Sequence, residues 1–213
     1  ENFRFRFKRL SLEDQELLLS MDYPYVIGLP IGVAGSFSLK RNFSTSVDAN
    51  AQLGLQYLFT GNNIVKAYWT NTSSRLTVLD TISILNARKL PSSLDYNYNG
   101  IGLSSLYRKL DYRFNPKKGY EINLNAVTGI KTIVQNQSIL ELRNENVDFT
   151  NAYDTLPNAP FQFDITSDIS YYKSINKWSS LKINNKTGYK YINGVVLQNE
   201  VFRLGGNKSL RGF

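Results

Sequence analysis

The chain has 213 residues and a mass of 24.3 kDa, room for one large all-β unit. It has no cysteine, which excludes disulfides and thiolate chemistry, and no histidine, which removes the usual general base and the commonest zinc ligand. The net charge is +8, but the cations recur singly between apolar residues, so they read as one face of a sheet and not as a nucleic-acid-binding arm.

Alternation with period two recurs along the chain. Phe3, Phe5 and Phe7 alternate with Arg4, Arg6 and Lys8. Ser11 to Tyr23 is less regular: Ser11-Leu12-Glu13-Asp14 suits a capping box before a short helix with Leu17, Leu18 and Leu19, and a loop suits it equally. Ile31, Val33, Phe37 and Leu39 then alternate with small and polar residues. Leu53, Leu55, Tyr57 and Phe59 share a face, Gly61-Asn62-Asn63 makes a turn, and Val65, Ala67 and Trp69 follow. Tyr120, Ile122, Leu124 and Ala126 oppose Glu121, Asn123 and Asn125. Phe161, Phe163, Ile165, Ile169 and Tyr171 oppose Gln162, Asp164, Thr166, Asp168 and Ser170. Leu181, Ile183, Tyr189 and Tyr191 oppose Lys182, Asn184, Lys186 and Lys190.

Several runs reach ten residues or more. Soluble strands average about 5–6 residues, whereas a tilted membrane strand needs about 9–11. No run approaches the ~20 apolar residues of a membrane helix; the longest, Tyr25 to Gly35, contains Pro30. Aromatic residues make up 13% of the chain, which suits a barrel with interfacial rings and also an aromatic-rich soluble sandwich. Trp69, Trp178 and some of Tyr120, Tyr189 and Tyr191 are expected in one aromatic band.

The candidates for catalysis are weak. Gly205-Gly206-Asn207-Lys208-Ser209 lacks the spacing of a phosphate-binding loop. Asp164 and Asp168 lie on one strand face about 13 Å apart, too far to share a metal. Glu13, Asp14 and Glu16 read as a charged loop. No constellation indicates an enzyme, a metal site or a cofactor.

Two stretches carry a family resemblance. The run Glu200-Val201-Phe202-Arg203-Leu204-Gly205-Gly206-Asn207-Lys208-Ser209-Leu210-Arg211-Gly212-Phe213 resembles the Arg-Gly-aromatic motif in the sixth loop of Omp85-superfamily outer-membrane barrels. Asp111 to Tyr120, with Pro116 and Gly119, resembles the Pro-x-x-Gly-Tyr reversal that these barrels carry on the periplasmic side.

The resemblance implies a partial transmembrane antiparallel β-barrel, residues 1–213 forming part of a roughly sixteen-stranded domain that ends within the lumen-facing loop. Starting at Glu1 without a leader pattern, the sequence reads as a processed chain or an excerpt; because it stops inside the loop motif, the expectation is an excerpt, without POTRA modules or the final strands. The implied function is insertion of outer-membrane proteins, or translocation of polypeptide, in the bacterial outer membrane. The implied partners are outer-membrane lipids, unfolded polypeptide substrates and accessory subunits, with no nucleic acid. Arg211, Gly212, Phe213, Gly205 and Gly206 would form a loop latch docked on the inner wall, and Pro116 and Gly119 a periplasmic turn. A passive porin or ligand-binding barrel with a basic lumen is the alternative, and a secreted β-sandwich a third reading.

Overall fold

A computed structural model describes residues 2–9, 14–26, 28–42, 45–60, 63–144, 147–157 and 159–201. Nine strands form one antiparallel sheet in the order β1 (Asn2–Arg9), β2 (Gln15–Tyr23), β3 (Ile31–Asn42), β4 (Ser46–Phe59), β5 (Asn63–Leu76), β6 (Tyr96–Leu110), β7 (Gly119–Ile133), β10 (Phe161–Ser174) and β11 (Ser180–Ile192). The sheet is not closed; β1 and β11 are its edges. Two short helices, α1 (Thr81–Ala87) and α2 (Gln137–Leu140), and a two-stranded ribbon of β8 (Arg143–Asn144) and β9 (Val147–Asp148) lie in the connections. The fold is all-β. Among the described residues the sheet structure is this nine-stranded sheet and the two-stranded ribbon.

The segment Ser11 to Tyr23 corrects one expectation. From Gln15 it is a strand and not a helix, pairing Leu17 with Phe7 and Leu39, and Leu19 with Phe5 and Phe37. The three consecutive leucines obscured the alternation of Leu17, Leu19, Met21 and Tyr23 against Glu16, Ser20 and Asp22. Cross-strand partners on both sides then outweigh helix propensity, which is a weak prior. Strand β6 was likewise not singled out in the sequence, because Gly100, Gly102, Ser104 and Ser105 dilute its pattern.

Register sorts side chains into two faces. Tyr23, Val33, Leu55, Ala67, Leu103, Ala126, Ile165 and Tyr189 form one lateral row, each directly opposite the next. Asp22, Ala34, Gly54, Tyr68, Gly102, Val127, Asp164 and Lys190 form the neighbouring row on the other face. The burial is the reverse of that in a soluble domain. Leu53, Leu55, Tyr57, Trp69, Ile101 and Leu103 are exposed, while Gln56, Thr70, Ser74, Lys131 and Gln162 are buried.

Glycines shape the polar face. Tyr68 stands between Gly54 and Gly102, and its ring lies over Gly102, where a Cβ would come within 2.4 Å of Cζ. The Tyr68 hydroxyl thereby passes across β6 and donates to Asn125 Oδ1 on β7 at 2.5 Å. Glycine kinks of this kind bend a sheet, and the aromatic ring refills the space that they leave.

The two longest connections, 77–95 and 134–160, leave from the same end of the sheet. The connections at the other end, 24–30, 60–62, 111–118 and 175–179, are short. The long connections fold onto the sheet and build the main apolar core from Ile84, Leu94, Tyr96, Tyr98, Ile139, Phe149, Tyr153 and Leu197.

Gly102→Val should collide with the Tyr68 ring and destabilise the sheet by about 1–3 kcal/mol. Gly35→Ala, whose added Cβ meets nothing closer than 3.8 Å, should be tolerated. The comparison is read from the folded fraction of each variant by circular dichroism across a denaturant series.

Candidate functional site: the polar face and the segment folded onto it

The polar face carries a series of hydrogen-bonded and ion-paired clusters. Gln56 Nε2 donates to Asp22 Oδ1 at 2.5 Å, reaching across Gly32 on the intervening strand. Asn50 Nδ2 donates to Thr72 Oγ1 at 2.6 Å and to Thr70 Oγ1 at 3.2 Å. Ser74 Oγ donates to Asp48 Oδ1 at 2.6 Å. Arg108 pairs with Glu121, and Lys66 lies over the Tyr68 ring at 5.0 Å. Toward the β11 edge, Asp168 meets Lys186 at 3.1 Å and Asp164 meets Lys190 at 3.5 Å. The two aspartates that the sequence places too far apart for a metal are each held by a lysine.

Residues 193–201, which follow β11, fold back onto this face. Asn193 N donates to the Phe161 carbonyl at 2.9 Å and Gln198 N to the Ser92 carbonyl at 2.9 Å. Asn199 Nδ2 donates to Ser74 Oγ and to the Leu94 carbonyl, both at 3.1 Å. Leu197 is buried in the apolar core. The central contact is ionic: Lys131 Nζ, on the polar face of β7, donates to Glu200 Oε1 at 2.8 Å and to the Val195 carbonyl at 2.8 Å. The Lys131 and Glu200 side chains are 0% and 2% exposed. Glu200 Oε1 also accepts from Leu197 N at 2.6 Å, which closes the one-turn helix Gln198–Glu200 around the pair.

Glu200 opens the fourteen-residue run that carries the family resemblance. The structure therefore places the entry to that run against the polar face. Gly205, Gly206, Arg211, Gly212 and Phe213 lie outside the described residues. Lys131 was not singled out in the sequence, and Glu200 figured there only as the first residue of that run. Lys131 reads as one more cation on an alternating strand, and no local signal pairs it with a glutamate 69 positions away.

Pro116 lies in the short connection between β6 and β7, and Gly119 is the first residue of β7. Gly119 has φ +117°, and a Cβ there would sit 2.0 Å from the Lys109 carbonyl oxygen, so only glycine fits. Asp111 organises the turn: its Oδ1 accepts from the backbone N–H of Tyr112, Lys117 and Lys118 at 2.9–3.0 Å. These donors, Lys118 N–H first, hold the Asp111 carboxyl below the usual carboxylate range. At the opposite end, hydrogen bonds from the Ser83 hydroxyl and N–H do the same for Asp80, the N-cap of α1.

The aromatic residues expected in one band occupy several levels. Trp69 and Tyr191 share a lateral row in the middle of the sheet, Tyr189 lies in the next, Tyr120 lies beside the short turns, and Trp178 lies within one of them. No family model matches the chain, and no curated protein matches it significantly.

Glu200→Ala leaves the Lys131 ammonium buried without its carboxylate, a change that costs about 3–5 kcal/mol in comparable sites. It should release residues 193–201 while leaving strand content intact, seen as accelerated hydrogen exchange confined to that segment and its contacts. Replacing both partners, Lys131→Met with Glu200→Leu, should recover much of the protection.

Because the Asp111 carboxyl is depressed in the folded state, its contribution is complete above the ordinary carboxylate value of about 3.9 and is lost as pH falls through the lower folded value. Protection of the Lys117 and Lys118 amides, taken relative to their intrinsic exchange rates, should fall for this reason as pH drops below the ordinary carboxylate range. Asp111→Asn should abolish that acid step.

Proposed function

We propose that this chain forms part of the wall of a transmembrane antiparallel β-barrel of the Omp85 type. We propose further that the barrel inserts outer-membrane proteins, or translocates polypeptide, in the bacterial outer membrane. The observation that carries the membrane reading is the inverted polarity: a continuous exposed apolar face backed by a hydrogen-bonded polar one. Each large apolar side chain left in water forfeits about 1.5–3 kcal/mol, and hydrocarbon removes that penalty across the whole face. Strands of 12–15 residues from β3 to β7 are long enough to cross a bilayer at a tilt. Long connections at one end and short turns at the other fit an outward and a periplasmic side respectively.

The insertase or translocase reading rests on the resemblance of the Glu200–Phe213 run and the Pro116–Gly119 turn. The return of residues 193–201 onto the polar face supports it, since a loop that lines the lumen must enter there. Arg211 is then the latch that holds the loop to an inner-wall acceptor. Because an unpaired strand edge is costly in lipid, a weak seam would template an incoming strand. Lipids and unfolded polypeptides are the partners of this activity, with accessory subunits delivering the latter. The alternative, a passive anion-selective porin, draws on Arg4, Arg6 and Lys8 near one edge of the polar face and on Lys182, Lys186 and Lys190 near the other.

Three measurements on liposomes carrying the full-length protein separate these readings. Acceleration of the folding of an added unfolded outer-membrane barrel supports the insertase, and passage of an unfolded chain into the lumen supports the translocase. Anion-selective conductance with neither effect supports the porin. The membrane assignment has its own test: Ile165→Arg should lower bilayer stability by about 2–4 kcal/mol if the site lies at the midplane. Thr166→Arg, on the opposite face, should cost much less. Equal losses would remove the lipid-facing assignment.

A further inference from the structure

We propose that the adjacent short turns 111–118 and 175–179 form a docking surface for the headgroups of anionic phospholipid, an inference that rests on the membrane reading above. The two turns touch: Lys117 Nζ donates to the Lys177 carbonyl at 2.9 Å. From them stand the most exposed large apolar side chains described, Trp178 at 94% and Phe114 at 83%, with Tyr112 and Ile175 beside them. Around these rings lie Lys109, Arg113, Lys117, Lys118, Lys173 and Lys177, all exposed. The nearby carboxylate, Asp111, is committed to the N–H groups of its own turn.

The patch is local. The short turn 24–30 presents Tyr25 and Leu29 without a charged residue, and the long-connection end mixes Arg88 and Lys89 with Asp80, Glu141 and Asp154. It is also pre-organised. Asn176 Oδ1 accepts from Trp178 N at 2.8 Å and Ser179 N at 2.7 Å, and Tyr112 and Phe114 meet edge-on at 6.0 Å. Side chains on fixed turns lose little freedom on binding.

The chemistry of this surface selects its occupant. Amphipathic rings settle at the headgroup level, and lysines lay their alkyl stems on apolar surface while the ammonium reaches outward to phosphate. The turns continue the exposed apolar face through Tyr171 and the stacked pair Tyr107 and Tyr120, 5.9 Å apart. That continuity favours a bilayer over an acidic soluble protein. A lysine near an anionic membrane surface favours binding about five-fold.

The test places the full-length protein in bilayers in which a fraction of the lipid is brominated near the headgroup. Trp178 reports on the turns and Trp69 on the apolar face, each in a variant in which every other tryptophan of the full-length protein is replaced by Phe. The expected result is that brominated phosphatidylglycerol quenches Trp178 with an association constant about five-fold or more above that of brominated phosphatidylcholine. The preference should fall toward unity in Lys117→Gln/Lys118→Gln/Lys177→Gln, and in the unaltered turns at high salt, where the charges are screened. The salt arm decides the matter if the triple variant fails to fold. Equal quenching by the two lipids overturns the proposal, as does Trp178 open to acrylamide in every bilayer, the outcome for a soluble partner. If Trp69 also escapes quenching by lipid brominated along the acyl chain, the membrane reading itself has failed. Trp69 quenched with Trp178 indifferent removes the docking surface alone.

Discussion

Continuous hydrogen bonding of nine strands assigns every side chain to one of two faces, and the remaining features follow from that division. A slip of one residue in any strand would carry its apolar set to the polar face and its charges to the apolar one. The lateral rows leave no room for such a slip. Val33, Leu55, Ala67, Leu103, Ala126 and Ile165 stand in line on one side, and Gly54, Tyr68, Gly102 and Asp164 in line on the other. The sheet therefore gains specificity from register before any packed core exists.

The polar face carries the tertiary organisation. Its glycines let long side chains cross an intervening strand, as Tyr68 does over Gly102 and Gln56 over Gly32. The same face receives residues 193–201 through the Lys131–Glu200 pair. A buried ion pair is weak evidence for stability, because desolvation offsets attraction, but it is demanding in geometry. Here it sets where the chain after β11 enters the space above the sheet. The apolar cluster around Leu94, Ile139 and Leu197 then closes over the end of that face, so the long connections form a folded cap and not a loose loop.

The two ends of the sheet differ in kind. One end is built from long connections with their own apolar core. The other consists of short turns held by side-chain caps, Asp111 in one and Asn176 in the next, which present rings and cations outward. Both functional proposals draw on this asymmetry.

Much of the sheet was legible in the sequence because a strand's side-chain period is two and its charges cannot share a face with its hydrocarbon. Seven alternating runs, from Phe3–Lys8 to Leu181–Tyr191, announced their strands and their faces in this way. The turn at Pro116–Gly119 was legible for a similarly local reason, since backbone constraint belongs to the residue itself. What failed locally was β2, where Leu17, Leu18 and Leu19 blur the period, and β6, where glycine and serine thin it. Only tertiary structure could place Leu18 on the polar face, pass Tyr68 over a glycine on the next strand, and bring Glu200 to Lys131. Those contacts join residues distant in the chain, and their energies arise from desolvation and shape that exist only once the strands are paired.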